Sequence, residues 1–430
     1  MRIIELTGES RKNILNDLLK RSPNHYSEYE STVSEILEEV RRNGDSALFA
    51  YTRKFDHFPL NAENIRVDRK EMQEAYGKLD GKLIEVIRRS AENIRYFHEK
   101  QLRSGWFDTK EDGSLLGMKF TPIARAGVYV PGGKAAYPSS VLMNVIPAKV
   151  AGVKEIIMTT PPGADGCVKP GTLVAADIAG VDTIYKVGGA QAVAAMAFGT
   201  ESVPKVDKLT GPGNIFVALA KKAVYGYVGI DSVAGPSEIL VLADETANPR
   251  YVAADLLSQA EHDELASAIL ITTSRELAEK VSEQAGIFME ELSRREIIQK
   301  SLDHYGYILL AENIQDAVDA ANEIASEHLE ILTKDPYEIM AKIQNAGAIF
   351  LGAYSSEPLG DYFAGPNHIL PTNGTAKFFS PLNVDDFMKK TSIISYSREA
   401  LEKVHKDIEI FAESEGLTAH ANSIKVRFED

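Results

Sequence analysis

The chain has 430 residues, of which 44% are hydrophobic and 25% charged, and its 62 acidic and 47 basic side chains give a net charge of −15. This composition predicts a globular protein of two or three domains, and the negative charge disfavours nucleic acid or an anionic membrane as a partner, because the chain repels phosphate. The single cysteine, Cys167, excludes an intrachain disulfide or a multi-cysteine zinc site, and without a signal-peptide core or an apolar span we expect a cytoplasmic protein.

Helical periodicity marks the first hundred residues. The apolar residues spaced as one helix face are Val33, Ile36, Leu37 and Val40. Gly44 follows them where a helix C-cap is expected, and residues 79–99 predict a second amphipathic helix. Neither helix carries a chemical signature, so we interpret both as packing elements.

Residues 125–222 repeat one pattern three times: an apolar strand, a glycine turn and a helix of small residues. The turns are Pro131-Gly132-Gly133, Gly188-Gly189 and Gly211-Pro212-Gly213-Asn214. Strands alternating with helices predict a parallel sheet, and turns at the carboxyl ends of its strands are suited to a dinucleotide. No turn holds the complete G-x-G-x-x-G pattern, so the glycines could equally serve only to close the turns.

A second α/β segment begins near Ser237. Its predicted strands are EILVLAD, SAILITT, YGYILLAE, LEILT and AGAIFLG, separated by helices that include 249–264 and 274–291. We therefore predict an α/β fold with two parallel sheets. Residues 354–381 form a loop rich in Gly, Pro and Asn, and an irregular loop of this length is usually functional.

A final amphipathic helix and a short tail complete the predicted elements. The apolar face of the helix is formed by Leu401, Val404, Ile408 and Phe411, and the helix ends near Gly416. This segment predicts a small C-terminal appendage.

Several polar residues form a candidate metal-binding set without sulfur. Gln259 and His262 are three apart on a predicted helix and share one face, although such a pair is more often structural. Asp361 lies in the irregular loop and could equally cap a turn. Together with His420, these nitrogen and oxygen donors suit a zinc ion that leaves room for substrate.

Glu327 and His328 are adjacent where a helix gives way to a strand. Two proton acceptors with different intrinsic pKa values suit a reaction in two stages, although a solvated helix end is the simpler interpretation. Cys167 has no histidine partner nearby in sequence, so we expect an incidental surface cysteine rather than a nucleophile.

Longer motifs resemble the L-histidinol dehydrogenase family from about residue 125 to 425. They are GVYVPGG, VGGAQAVAAMAFGTESVPKVDK, GPGN, DSVAGPSEILVLAD, LLSQAEHD, SEHLEI, GDYFAGPNHILPT and EGLTAHANSI. The resemblance implies a zinc-dependent oxidation of L-histidinol through L-histidinaldehyde to L-histidine with two NAD⁺. It implies that His328 is the base for the alcohol proton and that Glu327 activates water for the aldehyde step.

The resemblance also implies the remaining site residues. The zinc ligands would be Gln259, His262, Asp361 and His420. The substrate contacts would be Ser237, Gln259, His262, His328, Asp361, His368, Glu415 and His420. The NAD⁺ contacts would be Tyr129, Gln191 and Asn214, which lie on or beside the three glycine turns.

The implied architecture is a homodimer of chains with two incomplete Rossmann-like domains. Its implied divisions are an N-terminal helical segment at 1–25, a discontinuous α/β domain at 26–128 and 239–380, an inserted α/β domain at 129–238, and a C-terminal dimer-exchange segment at 381–430. Glu415 and His420 would then serve the active site of the partner chain.

Two other functions compete with this interpretation. A zinc hydrolase would use Glu327 with a metal-bound water and would need no nucleotide. A non-catalytic metabolite-binding protein would bind ligand without turnover, but the clustered ionisable residues disfavour it.

Overall fold

The computed structural model describes residues 1–21, 27–132 and 136–429, so Gly133 of the first glycine turn lies outside the described residues. The chain divides into two compact units. The larger unit contains Met1–Gln101 and Ile123–Phe387, and the smaller contains Leu102–Pro122 and Met388–Asp430. Within the described ranges, no helix is both long enough and apolar enough to cross a membrane.

Short strands and helices alternate through most of the chain. The strands are β1 Arg2–Glu5, β2 Trp106–Thr109, β3 Leu115–Pro122, β4 Arg125–Tyr129, β5 Glu155–Thr159, β6 Thr183–Tyr185, β7 Lys208–Thr210, β8 Gly229–Ile230, β9 Glu238–Ala243, β10 Ser267–Thr272, β11 Gly306–Leu310, β12 His328–Leu332, β13 Ala348–Leu351 and β14 Met388–Ser395. The helices are α1 Gly8–Leu19, α2 Ser27–Asn43, α3 Asp45–Asp56, α4 Arg69–Lys78, α5 Gly81–Glu99, α6 Pro138–Ala151, α7 Pro170–Ala179, α8 Gly189–Phe198, α9 Ile215–Val224, α10 Pro249–Ala260, α11 Arg275–Glu291, α12 Arg295–Tyr305, α13 Ile314–Ile324, α14 Pro336–Met340, α15 Glu357–Leu359, α16 Arg398–Glu402, α17 His405–Ser414 and α18 Thr418–Lys425.

The larger unit contains two parallel sheets. The six-stranded sheet has the order β1-β11-β10-β9-β12-β13, and the five-stranded sheet has the order β6-β5-β4-β7-β8. All pairings in both sheets are parallel. The predicted α/β fold with two parallel sheets is therefore confirmed.

The composition of the strands explains their burial. β9 and β10 are buried at every position, as expected for central parallel strands covered by helices on both faces. α8 consists mainly of alanine and is buried on nearly all sides, and it packs in the same core as α2. Close approach is needed there, because a Cβ at Gly127 would lie 2.8 Å from Met196 Sδ.

The smaller unit contains an antiparallel sheet that was not predicted. Its order is β14-β3-β2, and β14 pairs with β3 over eight residues, from Met388 to Ser395. Most residues of β2 and β14 are exposed, so these strands lack the apolar alternation by which strands are recognised in sequence.

The structure differs from the prediction in three places. The final helix is split into α16 and α17, with Val404 at φ −126° between them. α10 ends at Ala260 rather than near 264. The irregular loop contains α15 and a π-helical turn at Gly360–Ala364. The domain boundaries inferred from the family resemblance stay a prediction.

Candidate active site and metal centre

Glu327 and His328 lie at the amino end of the six-stranded sheet. His328 is the first residue of β12, which runs between β9 and β13, and both side chains are almost fully buried. Ligands of open α/β sheets usually lie at the carboxyl ends of the strands. This site is at the opposite edge, so the general rule for such folds does not locate it.

The backbone of Glu238 contacts both residues of this pair. Its N–H donates to Glu327 Oε2 at 2.9 Å, and its carbonyl oxygen accepts from His328 Nδ1 at 3.0 Å. A carbonyl can only accept, so Nδ1 carries a proton and the neutral ring has its lone pair on Nε2. His328 Nε2 is buried without a hydrogen-bond partner and lies 3.8 Å from Asp361 Oδ1.

Neighbouring charges and burial shift the pKa of each residue in this pair in opposite directions. Burial raises the pKa of Glu327 to about 8. Burial lowers the pKa of His328, but the carboxylates of Glu327 and Asp361 outweigh it and hold that pKa well above its ordinary value. Glu327 Oε2 is 3.6 Å from His328 Nδ1, so the charge of each group shifts the pKa of the other.

Asp361 lies on the π-helical turn, a local geometry that often occurs at functional sites. α5 fixes this turn, because Ser90 Oγ donates to the Tyr362 carbonyl at 2.6 Å and Asn93 Nδ2 donates to the Phe363 carbonyl at 2.8 Å. Burial raises the pKa of Asp361, but His328 and His368 lower it below the ordinary value. Asp361 is therefore a negatively charged carboxylate in a largely buried position, where it could bind a metal ion.

His368 is oriented by the same turn. Its Nδ1 donates to the Asp361 carbonyl at 3.1 Å and lies 3.7 Å from Asp361 Oδ1. As in His328, the carbonyl contact leaves the lone pair on Nε2. The predicted residues Asp361, His368 and His328 are therefore brought together.

Gln259 lies on the last turn of α10, which ends at Ala260, whereas His262 follows the helix in a turn and so does not share a helix face with Gln259 as predicted. The His262 N–H donates to the Gln259 carbonyl at 3.1 Å. The Gln259 side chain is fully buried, and neither its Oε1 nor its Nε2 has a hydrogen-bond partner. His262 is exposed, but it is near enough to Asp361 and His328 for their charges to affect its pKa, which partial desolvation by the surrounding protein lowers. A buried amide without partners is costly, so these residues fit a site that holds a ligand.

Three carboxyl groups near the site were not predicted, of which Glu330 and Glu357 are buried and Asp255 is half-buried. Glu357 Oε2 accepts from Ser258 Oγ at 3.0 Å, and the Glu357 N–H donates to Glu330 Oε1 at 2.7 Å. Burial raises the pKa values of Glu357, Glu330 and Asp255. The one available sequence signal was Glu330, a charged residue inside the apolar strand LEILT.

Within the described residues, one group of acidic and histidine side chains has metal-binding spacing. The ligand atoms of His328, Glu357 and Asp361 lie within 4.8 Å of one another. Asp361 is also a predicted zinc ligand, whereas His328 and Glu357 are not.

A cavity of about 300 Å³ opens beside these groups. Polar lining comes from His328, Asp361, Asn367 and His368, while Phe350 and neighbouring residues contribute an apolar wall. A mostly apolar lining with a few polar groups is typical of sites for small molecules.

The predicted nucleotide contacts lie at the carboxyl ends of the five-stranded sheet. Tyr129 ends β4, and its hydroxyl accepts from the Gly189 N–H at the start of α8 at 3.1 Å. Gln191 is buried on α8. Asn214 caps α9, where its Oδ1 accepts from Phe216 and Val217 N–H groups. The structure therefore brings the turns after β4 and β6 together.

The remaining predicted residues are Ser237, Glu415, His420 and Cys167. Ser237 directly precedes β9 and is partly buried, and its carbonyl accepts from the Ser267 N–H at 3.0 Å. Glu415 and His420 belong to the smaller unit, where both are exposed, one after α17 and the other on α18. Cys167 is exposed, as expected.

Known proteins resemble this chain over its full length. Residues 19–428 match the family model for histidinol dehydrogenase. The histidinol dehydrogenase of Clostridium acetobutylicum is 55% identical over 428 residues, covering 100% of this chain and 99% of the relative. The enzyme of that name from Bacillus subtilis is 56% identical over 428 residues, covering 99% of each chain. The crystal structure of histidinol dehydrogenase from Elizabethkingia anophelis has a TM-score of 0.94 at 37% identity, covering 100% of this chain and 98% of that chain.

Proposed function

The chain belongs to the histidinol dehydrogenase family, and we propose that it oxidises L-histidinol through L-histidinaldehyde to L-histidine in the cytoplasm, the last step of histidine biosynthesis. Each of the two oxidations transfers a hydride to NAD⁺ and releases a proton. The observation that carries this proposal is the pairing of Glu327 and His328 beside a small, partly apolar cavity.

His328 is proposed as the base of the first oxidation. Its Nδ1–H is held by the Glu238 carbonyl, so its Nε2 lone pair is available beside Asp361. Nε2 takes the proton of the alcohol hydroxyl, while the carbon that bears this hydroxyl transfers a hydride to the nicotinamide. The aldehyde and NADH result.

Glu327 is proposed as the base of the second stage. Its carboxylate takes a proton from the water that adds to the aldehyde, and the hydrate loses hydride to a second NAD⁺. Water thus supplies the second oxygen of the product carboxylate. This route needs no thiol, which agrees with an exposed Cys167.

We propose that zinc is held by Gln259, His262, Asp361 and the partner's His420. The unpartnered amide of Gln259 and the low pKa of Asp361 support this set. When bound, zinc supplies a positive charge that orients the nitrogens of the substrate. Ser237, His368 and Glu415 are proposed as further substrate contacts.

Metal analysis of single variants distinguishes this set from the trio of His328, Glu357 and Asp361. We expect Asp361→Asn to lose zinc, and His328→Gln and Glu357→Gln to retain it, as measured by atomic emission after dialysis. Glu357 Oε2 already accepts a hydrogen bond from Ser258 Oγ, which leaves fewer of its lone pairs for a metal ion. Loss of zinc from both His328→Gln and Glu357→Gln would favour the trio.

We propose that NAD⁺ binds at the carboxyl ends of the five-stranded sheet, with contacts from Tyr129, Gln191 and Asn214. The glycine turn before α8 and the N-terminus of α9 support this location, because helix N-termini favour phosphate. The absence of a complete G-x-G-x-x-G pattern leads us to expect weak binding.

We propose a homodimer in which Glu415 and His420 complete the partner's site. Exposed apolar side chains on the same segment support a protein contact there, with Phe411 at 69% and Leu417 at 42% exposure. A mixture of His420→Asn and Glu327→Gln chains tests the exchange. Mixed dimers regain one intact site, so random mixing restores about a quarter of the activity. No recovery would mean that each chain completes its own site.

The reaction is tested by counting NADH. Protein reloaded with zinc should yield two NADH per histidinol, and chelation should abolish the yield. No NADH would overturn the proposal. A zinc hydrolase would show no calorimetric binding of NAD⁺, and a metabolite-binding protein would bind its ligand without turnover.

A further inference from the structure

One residue of β9 orients both proposed catalytic groups. The Glu238 N–H donates to Glu327 Oε2 at 2.9 Å, and the Glu238 carbonyl accepts from His328 Nδ1 at 3.0 Å. Glu238 is the first residue of β9 and pairs with Ser267 at the start of β10. Any tilt at this strand end changes the directions of both Glu327 and His328.

The side chain of Glu238 is fixed by a buried ion pair with Arg21. The two side chains are 4% and 0% exposed, and Arg21 Nη2 contacts Glu238 Oε1. Arg21 Nη1 also donates to the Leu265 carbonyl at 2.8 Å, and the guanidinium lies 5.2 Å from the Tyr305 ring centroid. Arg21 therefore joins the start of β9 to the loop that follows His262.

Stability alone is a weak reason for such a pair. Replacing a buried ion pair with well-packed apolar residues is often neutral or stabilising, because taking two charges out of water is costly. The contacts of Arg21 are directional instead: one planar group donates to a carboxylate and to a carbonyl in fixed geometry. What the pair provides is a defined position for Glu238.

We propose that Arg21 is a positioning residue for the Glu327–His328 pair, acting through Glu238. Arg21 follows α1 and is remote in sequence from every predicted site residue. This inference rests on the proposed function, because the activity of Glu327 and His328 is its readout.

Arg21→Met is the main test. We expect kcat for histidinol oxidation to fall about 10- to 100-fold, since small displacements of catalytic groups have effects of this size. The histidinol Kd measured by calorimetry and the zinc content should stay at wild-type levels. The loop after His262 keeps its own turn, in which the Leu265 N–H donates to Asp263 Oδ1 at 2.9 Å.

Two further variants keep the test informative. Arg21→Lys retains the charge and should recover part of kcat. Arg11→Met is the matched control, because Arg11 lies on α1 and pairs with Glu323 at 3.3 Å in a more exposed setting. We expect this control to keep wild-type kcat.

If Arg21→Met does not fold, the double variant Arg21→Met/Glu238→Met takes its place in the test, because the double variant leaves no unpaired buried charge. Low kcat with normal zinc content supports the proposal. Wild-type kcat in Arg21→Met or in the double variant overturns it, as does a parallel loss of kcat, zinc and histidinol binding. A wild-type chain without histidinol oxidation would instead overturn the proposed function.

Discussion

The buried amide of Gln259 allows the proposed metal site to be tested without an activity assay. The side chain is fully buried, and both its oxygen and its nitrogen lack hydrogen-bond partners. Replacement by leucine keeps the approximate volume and removes both polar atoms. We expect Gln259→Leu to stabilise the metal-free protein and to weaken its binding of zinc.

The magnitude follows from the cost of the unpaired groups. A buried polar group without a partner costs about 1–3 kcal/mol, so relieving the amide should stabilise the metal-free protein by an amount of that order. For a unit of this size the change corresponds to a rise in melting temperature of about 1 °C per kcal/mol, because the entropy of unfolding grows with the number of residues. Zinc at 100 times its Kd stabilises a binding-competent chain by about 2.7 kcal/mol, and the variant should lose most of this gain.

Asn367→Leu is the matched control. Asn367 is also a buried amide, but its Nδ2 donates to the Met143 carbonyl at 2.7 Å and its Oδ1 accepts from the Ile369 N–H at 2.9 Å. Leucine there leaves two backbone groups unpaired, so this variant should melt at a lower temperature than the wild type.

Differential scanning calorimetry after chelation, and again after zinc is added, measures both effects. The reasoning is refuted if metal-free Gln259→Leu melts below the wild type, because the amide would then have a structural role. It also fails if zinc raises the melting temperature of the variant as much as that of the wild type.

Three further outcomes follow from the site. Glu327→Gln should slow the aldehyde step more than the alcohol step in single-turnover measurements, and equal losses would remove the water-activating role. In the same variant the pH profile of the alcohol step should shift to lower pH, because the Glu327 carboxylate raises the pKa of His328 and its loss frees the neutral base at lower pH. Gly211→Ala should weaken NAD⁺ binding about tenfold or more but leave histidinol binding intact, because Gly211 has φ +118° and a Cβ there would collide with the Tyr129 carbonyl oxygen. Calorimetry with each ligand checks this.

Local patterns in the sequence were sufficient for the fold class. Continuous apolar runs such as EILVLA and SAILIT are buried strands, and the small-residue helices between them pack closely on the sheets. Such strands can be recognised from a few consecutive residues, because a parallel strand that is buried on both faces is apolar at nearly every position. The exposed strands β2 and β14 lack this signal, so the antiparallel sheet was missed.

The chemical roles of single residues were less accessible from local pattern. Gln259 and His262 were predicted to share one face of a helix, but α10 ends at Ala260 and His262 follows it in a turn. The family motifs, rather than spacing or composition, identified the candidate set. Its assignment to zinc and to substrate stays a prediction.

The sequence by itself determined two parallel sheets, an exposed cysteine and the residue types available for proton transfer. Only the tertiary structure showed that Glu327 and His328 lie at the amino ends of the strands, where the Glu238 backbone contacts both side chains. It also decided that Arg21 and Glu357 lie beneath that site. The physical reason is distance along the chain. Periodicity reports which face of an element is buried, whereas a hydrogen bond between residues about 90 or more positions apart depends on how the whole sheet is assembled.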